Sequence, residues 1–83
     1  MGNLVSWTIA TGWCVDERGY EVGRSPNKQG YTEDDCFQLC LADDNLNGCT
    51  SHPSSSQCIT YTGDIKGGSG DGGYKCYYRT GNN

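Results

Sequence analysis

The sequence predicts a small disulfide-rich α+β domain, in which one α-helix at about residues 33–43 packs on an antiparallel β-sheet. Three observations lead to this fold class. The chain of 83 residues contains six cysteines but few aliphatic residues. One segment, after Thr32, has the capping and apolar content of a helix. Apolar residues alternate with polar ones near both ends, which is typical of strands. A chain of this length forms one domain, and we place its core at about residues 7–79.

The cysteines compensate for a thin hydrophobic core. So few Leu, Ile and Val side chains scarcely offset the conformational entropy lost on folding, roughly 1.5 kcal/mol per residue. An even number of cysteines in a short, glycine-rich chain is typical of a disulfide framework. A zinc module is disfavoured, because the chain has no C-x-x-C pair and a single histidine. Three disulfides predict a secreted or extracellular protein, or one domain of a larger surface protein.

The formal net charge of −4 excludes several classes of partner. Binding to nucleic acid requires a basic face, and membrane-lytic peptides are also basic. No apolar run approaches the ~18 residues of a membrane span. We therefore expect neither a nucleic-acid partner nor insertion into a membrane.

The first half of the chain begins with a strand. Val5, Trp7 and Ile9 alternate with polar residues, which predicts a half-buried strand over residues 4–10. Trp7 and Trp13 are both expected in the core. Residues 16–30 are polar and rich in turn-forming residues, so they are predicted to be a long loop with a short strand near residues 20–22.

The single helix has a clear start and end. Thr32 is a predicted N-cap, and the acidic residues of the first turn suit the positive end of the helix dipole. A polar, turn-forming segment at residues 43–48 ends the helix. The predicted buried face consists of Cys36, Phe37, Leu39, Cys40 and Leu41.

The second half alternates strands with glycine- and serine-rich segments. Residues 51–56 are predicted to form an exposed turn, and residues 57–62 a strand. Residues 63–73 are too glycine-rich for regular structure and are expected to form a mobile loop. Residues 74–79 form the last predicted strand, with Tyr74, Cys76 and Tyr78 on one face and Lys75, Tyr77 and Arg79 on the other.

The spacing of the cysteines restricts the disulfides without fixing them. Cys36 and Cys40 lie four residues apart on one face of the helix, so each is expected to reach a different partner. The nearest candidates are the strands that carry Cys49 and Cys58. Twelve of the 15 possible pairings remain open on this reasoning.

The order of these features resembles the PAN/apple domain. The resemblance rests on Cys14, on the C-x-x-x-C helix that opens with Thr32 and acidic residues, on Gly48-Cys49, on the segment from Cys58 to Tyr61, and on the closing segment from Tyr74 to Tyr77. The WSC domain is a neighbouring possibility, although it normally has eight cysteines. The PAN/apple resemblance implies a helix packed on an antiparallel sheet and the disulfides Cys14–Cys76, Cys36–Cys58 and Cys40–Cys49.

The sequence does not favour an enzyme. His52 lies alone in a Ser/Pro segment, and the paired cysteines leave no thiolate nucleophile. Residues 43–48 match the first half of an EF-hand loop, but Ser54 stands where a bidentate Glu is needed, so we favour a turn that ends the helix. The G-x-G-x-x-G at residues 68–73 lacks the following helix of a dinucleotide site. We expect no catalytic residues, metal site or cofactor.

The expected function is binding, at the glycine-rich loop and its tyrosines. Flat aromatic faces beside short polar groups suit sugars and proteins alike. We therefore predict a PAN/apple-like module that recognises a glycan or an extracellular protein. One alternative is a structural subunit that self-associates in an extracellular filament or coat. Another is a secreted inhibitor or toxin that presents Arg24-Ser25 as bait. The predicted ligand-binding residues are Tyr61, Asp64, Lys66, Asp71, Tyr74 and Tyr78.

Overall fold

A computed structural model describes residues 6–80 of the chain. This part contains one α-helix and seven strands, with a 3₁₀ turn at Pro53–Ser55. No helix in residues 6–80 is long and apolar enough to cross a bilayer. In chain order the elements are β1 (Ser6–Thr11), β2 (Cys14–Val15), β3 (Lys28–Gln29), α1 (Glu33–Ala42), β4 (Gly48–His52), β5 (Gln57–Tyr61), β6 (Gly67–Gly68) and β7 (Lys75–Thr80).

The main sheet has five strands in the order β1-β7-β4-β5-β3, and each neighbouring pair is antiparallel. The central strand β4 places Cys49 opposite Thr60 of β5 and Tyr77 of β7. β2 and β6 form a separate two-stranded sheet. The predicted fold class, one helix on an antiparallel sheet with three disulfides, is confirmed.

The helix begins where the sequence predicts. The Thr32 hydroxyl accepts a hydrogen bond from the Asp35 backbone N–H at 3.1 Å, and three acidic residues fill the first turn. Cys36, Phe37 and Cys40 face the sheet and are buried. Leu41, predicted to be buried, is instead 51% exposed, because the disulfides of Cys36 and Cys40 determine which side of α1 faces the sheet.

Each face of the sheet carries its own apolar cluster. The cluster on the helix side contains Phe37 and two of the disulfides, and half-buried Trp7 and Tyr77 pack against it. The cluster on the opposite face contains Ile59, Tyr61, Ile65 and the Cys14–Cys76 disulfide. The predicted alternation along β7 is therefore present, because Cys76 and Tyr77 belong to different clusters.

The three disulfides are Cys14–Cys76, Cys36–Cys58 and Cys40–Cys49. They are the pairs that the PAN/apple resemblance implies. Two of them join α1 to β5 and β4, and the third joins segments 62 residues apart. Covalent bonds thus hold both the helix and the ends of the described chain on the sheet.

The strand predicted at residues 4–10 differs from the structure in its bounds and burial, and the one predicted near residues 20–22 is absent. β1 begins at Ser6 among the described residues, and positions 4 and 5 of the prediction lie outside them. Ile9 is 59% exposed although its alternation predicts burial. It lies on an edge strand, whereas α1 contacts β4 and β5. The strand expected near residues 20–22 is wrong, because the Asp16 N–H instead bonds the Tyr20 carbonyl across a turn.

The serine-rich segment is more ordered than predicted. β4 extends to His52, and Ser51 is fully buried, so only Pro53–Ser55 form the expected turn. Pairing with β5 on one side and β7 on the other satisfies the backbone of Ser51 despite the low strand propensity of serine.

The glycine-rich segment is packed, which corrects the predicted mobile loop without regular structure. Gly67–Gly68 form β6 and pair with β2. The backbone N–H of Ser69 donates to the Trp13 carbonyl at 2.9 Å, and that of Gly70 donates to the Thr11 carbonyl at 2.9 Å. A Cβ at Gly68 would collide with the Thr11 carbonyl. Gly68 is therefore required for this close approach to β1, whereas a Cβ at Gly67 or Gly72 would meet open space.

Candidate functional site

A cleft of about 230 Å³ lies on the side of the sheet away from α1. We call it the Trp13 cleft. Its floor includes Ile59 of β5, and its walls combine two aromatic side chains with four polar ones. The lining residues are Trp13, Glu21, Arg24, Asn27, Gln57, Ile59 and Tyr74.

The aromatic wall is formed by Trp13 and Tyr74. Their ring centroids are 5.2 Å apart and their planes are perpendicular, at 88°. The His52 ring stacks on Tyr74 at 4.3 Å and supports it from β4. Both wall residues are half-buried, so they are anchored in the fold and still reach solvent. Such a wall offers rigid apolar surface to a ligand.

Hydrogen bonds from the turn between β1 and β2 to Tyr74 and Ser69 hold this wall in place. The Gly12 N–H donates to the Tyr74 carbonyl at 2.8 Å, which ties the two aromatic segments together. The Trp13 N–H donates to the Ser69 hydroxyl at 3.1 Å. Gly12 has a φ of 102°, a conformation that suits glycine. A Cβ at Gly12 would also collide with the Ser69 hydroxyl.

The polar wall contains an ion pair between Glu21 and Arg24. Arg24 Nη1 donates to Glu21 Oε1 at 3.3 Å, and Arg24 Nη2 donates to the Asn27 side-chain oxygen at 2.5 Å. Arg24 Nε donates to the Ser25 carbonyl at 3.3 Å. The guanidinium is therefore fixed against the carboxylate that it neutralises.

A chain of hydrogen bonds that begins in the core orients Glu21. The Cys14 N–H donates to Thr50 Oγ1 at 3.0 Å, and the Thr50 hydroxyl donates to Tyr61 Oη at 3.0 Å. The Tyr61 hydroxyl donates in turn to Glu21 Oε2 at 2.6 Å. Burial, and next the hydrogen bond to Glu21, raise the pKa of Tyr61 above its ordinary value. The carboxylate is thus oriented before any ligand arrives.

The structure places the six predicted ligand-binding residues in different parts of the molecule, and only one of them lines the Trp13 cleft. Tyr74 lines the Trp13 cleft. Tyr61 is fully buried, so it cannot touch a ligand and instead orients Glu21. Asp71 accepts a hydrogen bond from the Gly73 N–H at 3.0 Å in the turn before Tyr74. Tyr78 packs against the core cluster of the same face, and its hydroxyl donates to the Lys66 carbonyl at 3.5 Å.

Asp64 and Lys66 lie in a second, open depression of about 440 Å³, together with Asp16, Glu17 and Arg18. Asp16 accepts hydrogen bonds from the backbone N–H groups of Arg18 and Tyr20, at 2.9 and 3.0 Å. The bond from Tyr20 is the largest cause that lowers the pKa of Asp16. Its carboxylate therefore closes a turn, and this depression has no aromatic wall.

Six residues of the Trp13 cleft are not among the predicted site residues: Trp13, which the sequence places in the core, together with Glu21, Arg24, Asn27, Gln57 and Ile59. From the sequence, Arg24 is expected only as the bait of an inhibitor. Its side chain lines the cleft and is bonded within its own loop, although it remains 40% exposed. The Glu21-x-x-Arg24 spacing in a polar loop was the one available signal for an ion pair.

Two other candidate motifs have local structural roles. Asp43 is the C-cap of α1, and its carboxylate accepts from the Asn45 N–H at 2.9 Å. The Asn47 side chain donates to the carbonyls of Thr62 and Gly63, at 2.9 and 3.2 Å. This is the predicted helix-ending turn. His52 Nδ1 bonds Ser55 Oγ within the 3₁₀ turn.

Comparisons of the chain with protein-family models, with curated protein sequences and with solved structures found no match.

Proposed function

We propose that this protein is a non-catalytic extracellular binding module, of a PAN/apple-like kind, that recognises a glycan through the Trp13 cleft. The three disulfides support an oxidising, extracellular environment. The observation that carries the proposal is the aromatic wall of Trp13 and Tyr74 opposite the held Glu21–Arg24 pair.

A sugar ring matches such a cleft in both chemistry and size. One face of the ring presents C–H groups that pack on aromatic surface, and its edge presents hydroxyls for directional hydrogen bonds. The cleft volume, about 230 Å³, lies below the roughly 300–1,000 Å³ of pockets that enclose drug-sized ligands. One sugar residue at the end or along the side of a longer glycan fits this size.

A glycan array tests the proposal when it is run with matched tryptophan variants. We expect the wild type and Trp7→Phe to bind the same glycans, because Trp7 packs on the helix side of the sheet. Trp13→Ala is expected to lose binding by roughly ten-fold or more, as anchor aromatics do when truncated. Circular dichroism and intact mass should first show that each variant is folded and fully oxidised.

Two outcomes contradict the proposal. In one, no glycan binds; if a pull-down from extracellular material then captures a protein, the partner is a protein. In the other, Trp13→Ala binds glycans as well as the wild type does, which would place binding outside this cleft.

A second candidate function is self-association in an extracellular assembly, and the edge strand β1 favours it. β1 is the outer strand of the described sheet, and its six residues include no charge and no proline. An uncharged edge with exposed Ile9 lacks the usual protection against pairing with a second copy. Light scattering over a range of concentrations should show Ile9→Lys reducing self-association more than Leu41→Lys on the helix. A strict monomer at high concentration contradicts this function.

A further inference from the structure

We infer that the Trp13 cleft selects an uncharged, hydroxyl-rich sugar ring and discriminates against both acidic and basic sugars. This inference rests on the proposed function and specifies the ligand class of the same site. It follows from the hydrogen bonds and the ion pair that Glu21 and Arg24 already form within the protein.

The charges of the cleft cancel locally. Glu21 and Arg24 form an ion pair at 3.3 Å, and their side chains are 23% and 40% exposed. No other lining side chain among residues 6–80 carries a formal charge. The cleft therefore presents oriented dipoles to a ligand rather than an unbalanced charge.

Arg24 is poorly placed to anchor an anion. Each of its three guanidinium nitrogens already donates within the protein, to Glu21, Asn27 or Ser25. A carboxylate or sulfate that approached its remaining N–H groups would lie beside the Glu21 carboxylate and be repelled by it.

Glu21 is well placed to accept from hydroxyls. Each of its oxygens accepts one hydrogen bond within the protein, from Tyr61 or Arg24. A carboxylate has about four acceptor positions, which leaves about two for a ligand. Two neighbouring hydroxyls of a sugar can donate to them, and the amides of Asn27 and Gln57 add further polar groups. A basic sugar is disfavoured, because an ammonium group at Glu21 would lie beside the Arg24 guanidinium and be repelled by it.

The test uses the Trp7→Phe protein, in which Trp13 is the single fluorescent indole. Its emission is titrated with three matched probes at millimolar concentration: a neutral methyl hexoside, the corresponding methyl hexuronide and the corresponding methyl hexosaminide. Several neutral stereoisomers are included, because hexosides differ in the orientation of their hydroxyls. We expect the neutral probe of the preferred stereochemistry to bind at least about five-fold more tightly than both charged ones.

Two carboxylate variants make the test specific. Glu21→Gln keeps the shape of the side chain and removes its charge, and we expect it to weaken binding of the neutral probe by about ten-fold, the loss associated with one charged hydrogen bond. Glu17→Gln removes the same charge in the second depression and should leave the affinity unchanged. Folding of both variants is checked by circular dichroism.

The outcomes separate this inference from the proposed function. If the hexuronide or the hexosaminide binds as tightly as the neutral probe, or if Glu21→Gln keeps full affinity, the inference is wrong while glycan binding stands. If none of the three classes changes the Trp13 emission and the glycan array is also blank, the proposed function is wrong and the inference falls with it.

Discussion

At the scale of single residues, Tyr61 connects the core to the candidate site. Its side chain is fully buried, and its hydroxyl lies between Thr50 and Glu21. The pKa of Tyr61 is raised by burial and by the Glu21 carboxylate. Because the pKa of Tyr61 is higher in the folded state than in the unfolded state, its protonated hydroxyl contributes to the free energy of unfolding at pH values below the unfolded-state pKa. This contribution is lost as the pH rises from the unfolded-state pKa through the folded-state pKa.

The first prediction is therefore that Tyr61 causes part of the alkaline loss of stability. Urea unfolding between about pH 9 and pH 11 should show a smaller decrease in free energy of unfolding for Tyr61→Phe than for the wild type. Tyr20→Phe is the control, because Tyr20 is 62% exposed and should leave the decrease unchanged. An identical alkaline decrease in Tyr61→Phe and the wild type would contradict the role of Tyr61.

Removing the hydroxyl of Ser51 and that of its β4 neighbour Thr50 is predicted to change the free energy of unfolding in opposite directions. The Ser51 hydroxyl is buried and has no hydrogen-bond partner within residues 6–80, whereas the Thr50 hydroxyl has two. Leaving a buried hydroxyl unpaired costs about 1–3 kcal/mol. Ser51→Ala should raise the free energy of unfolding by about 1 kcal/mol, and Thr50→Val should lower it by at least as much. Denaturant titration measures both, and a destabilised Ser51→Ala would show that its hydroxyl has a partner.

At the scale of elements, the three disulfides should contribute unequally to the free energy of unfolding. In the loop-entropy description, a bond that closes a longer loop restricts the unfolded chain more. Cys14–Cys76 spans 62 residues and Cys40–Cys49 spans 9, which correspond to about 4 and about 2.5 kcal/mol. Thermal unfolding of the Cys14→Ser/Cys76→Ser variant should therefore occur at a lower temperature than that of the Cys40→Ser/Cys49→Ser variant. The reverse order would contradict this account of the framework.

Elements with a local sequence signal could be predicted, and those that exist only through pairing with a distant segment could not. Thr32 with its acidic first turn predicts the start of α1 from adjacent residues alone. β2 and β6 have two residues each and exist only because Cys14 and Val15 meet Gly68 and Gly67 from far along the chain. Ser51 lies in a strand for the same reason, since its neighbours on both sides override its own propensity.

At the scale of the whole molecule, the Trp13 cleft is a product of tertiary structure. Trp13 and Tyr74 come from opposite ends of the chain and meet beside the Cys14–Cys76 disulfide. The sequence correctly places Tyr74 next to the glycine-rich segment, but it cannot show that this segment packs under Trp13. Nor can it show that the Glu21 loop folds across Tyr61, because that contact joins residues 40 positions apart.

NMR tests most directly whether the ligand binds in the Trp13 cleft. The two indole N–H signals, of Trp7 and Trp13, report on opposite faces of the sheet. On titration with neutral methyl hexosides, the Trp13 indole signal and the backbone signals of Glu21, Arg24 and Gln57 are predicted to shift together, while the Trp7 signal stays in place. Shifts confined to residues 64–71, or a shift of the Trp7 signal alone, would contradict binding in the Trp13 cleft.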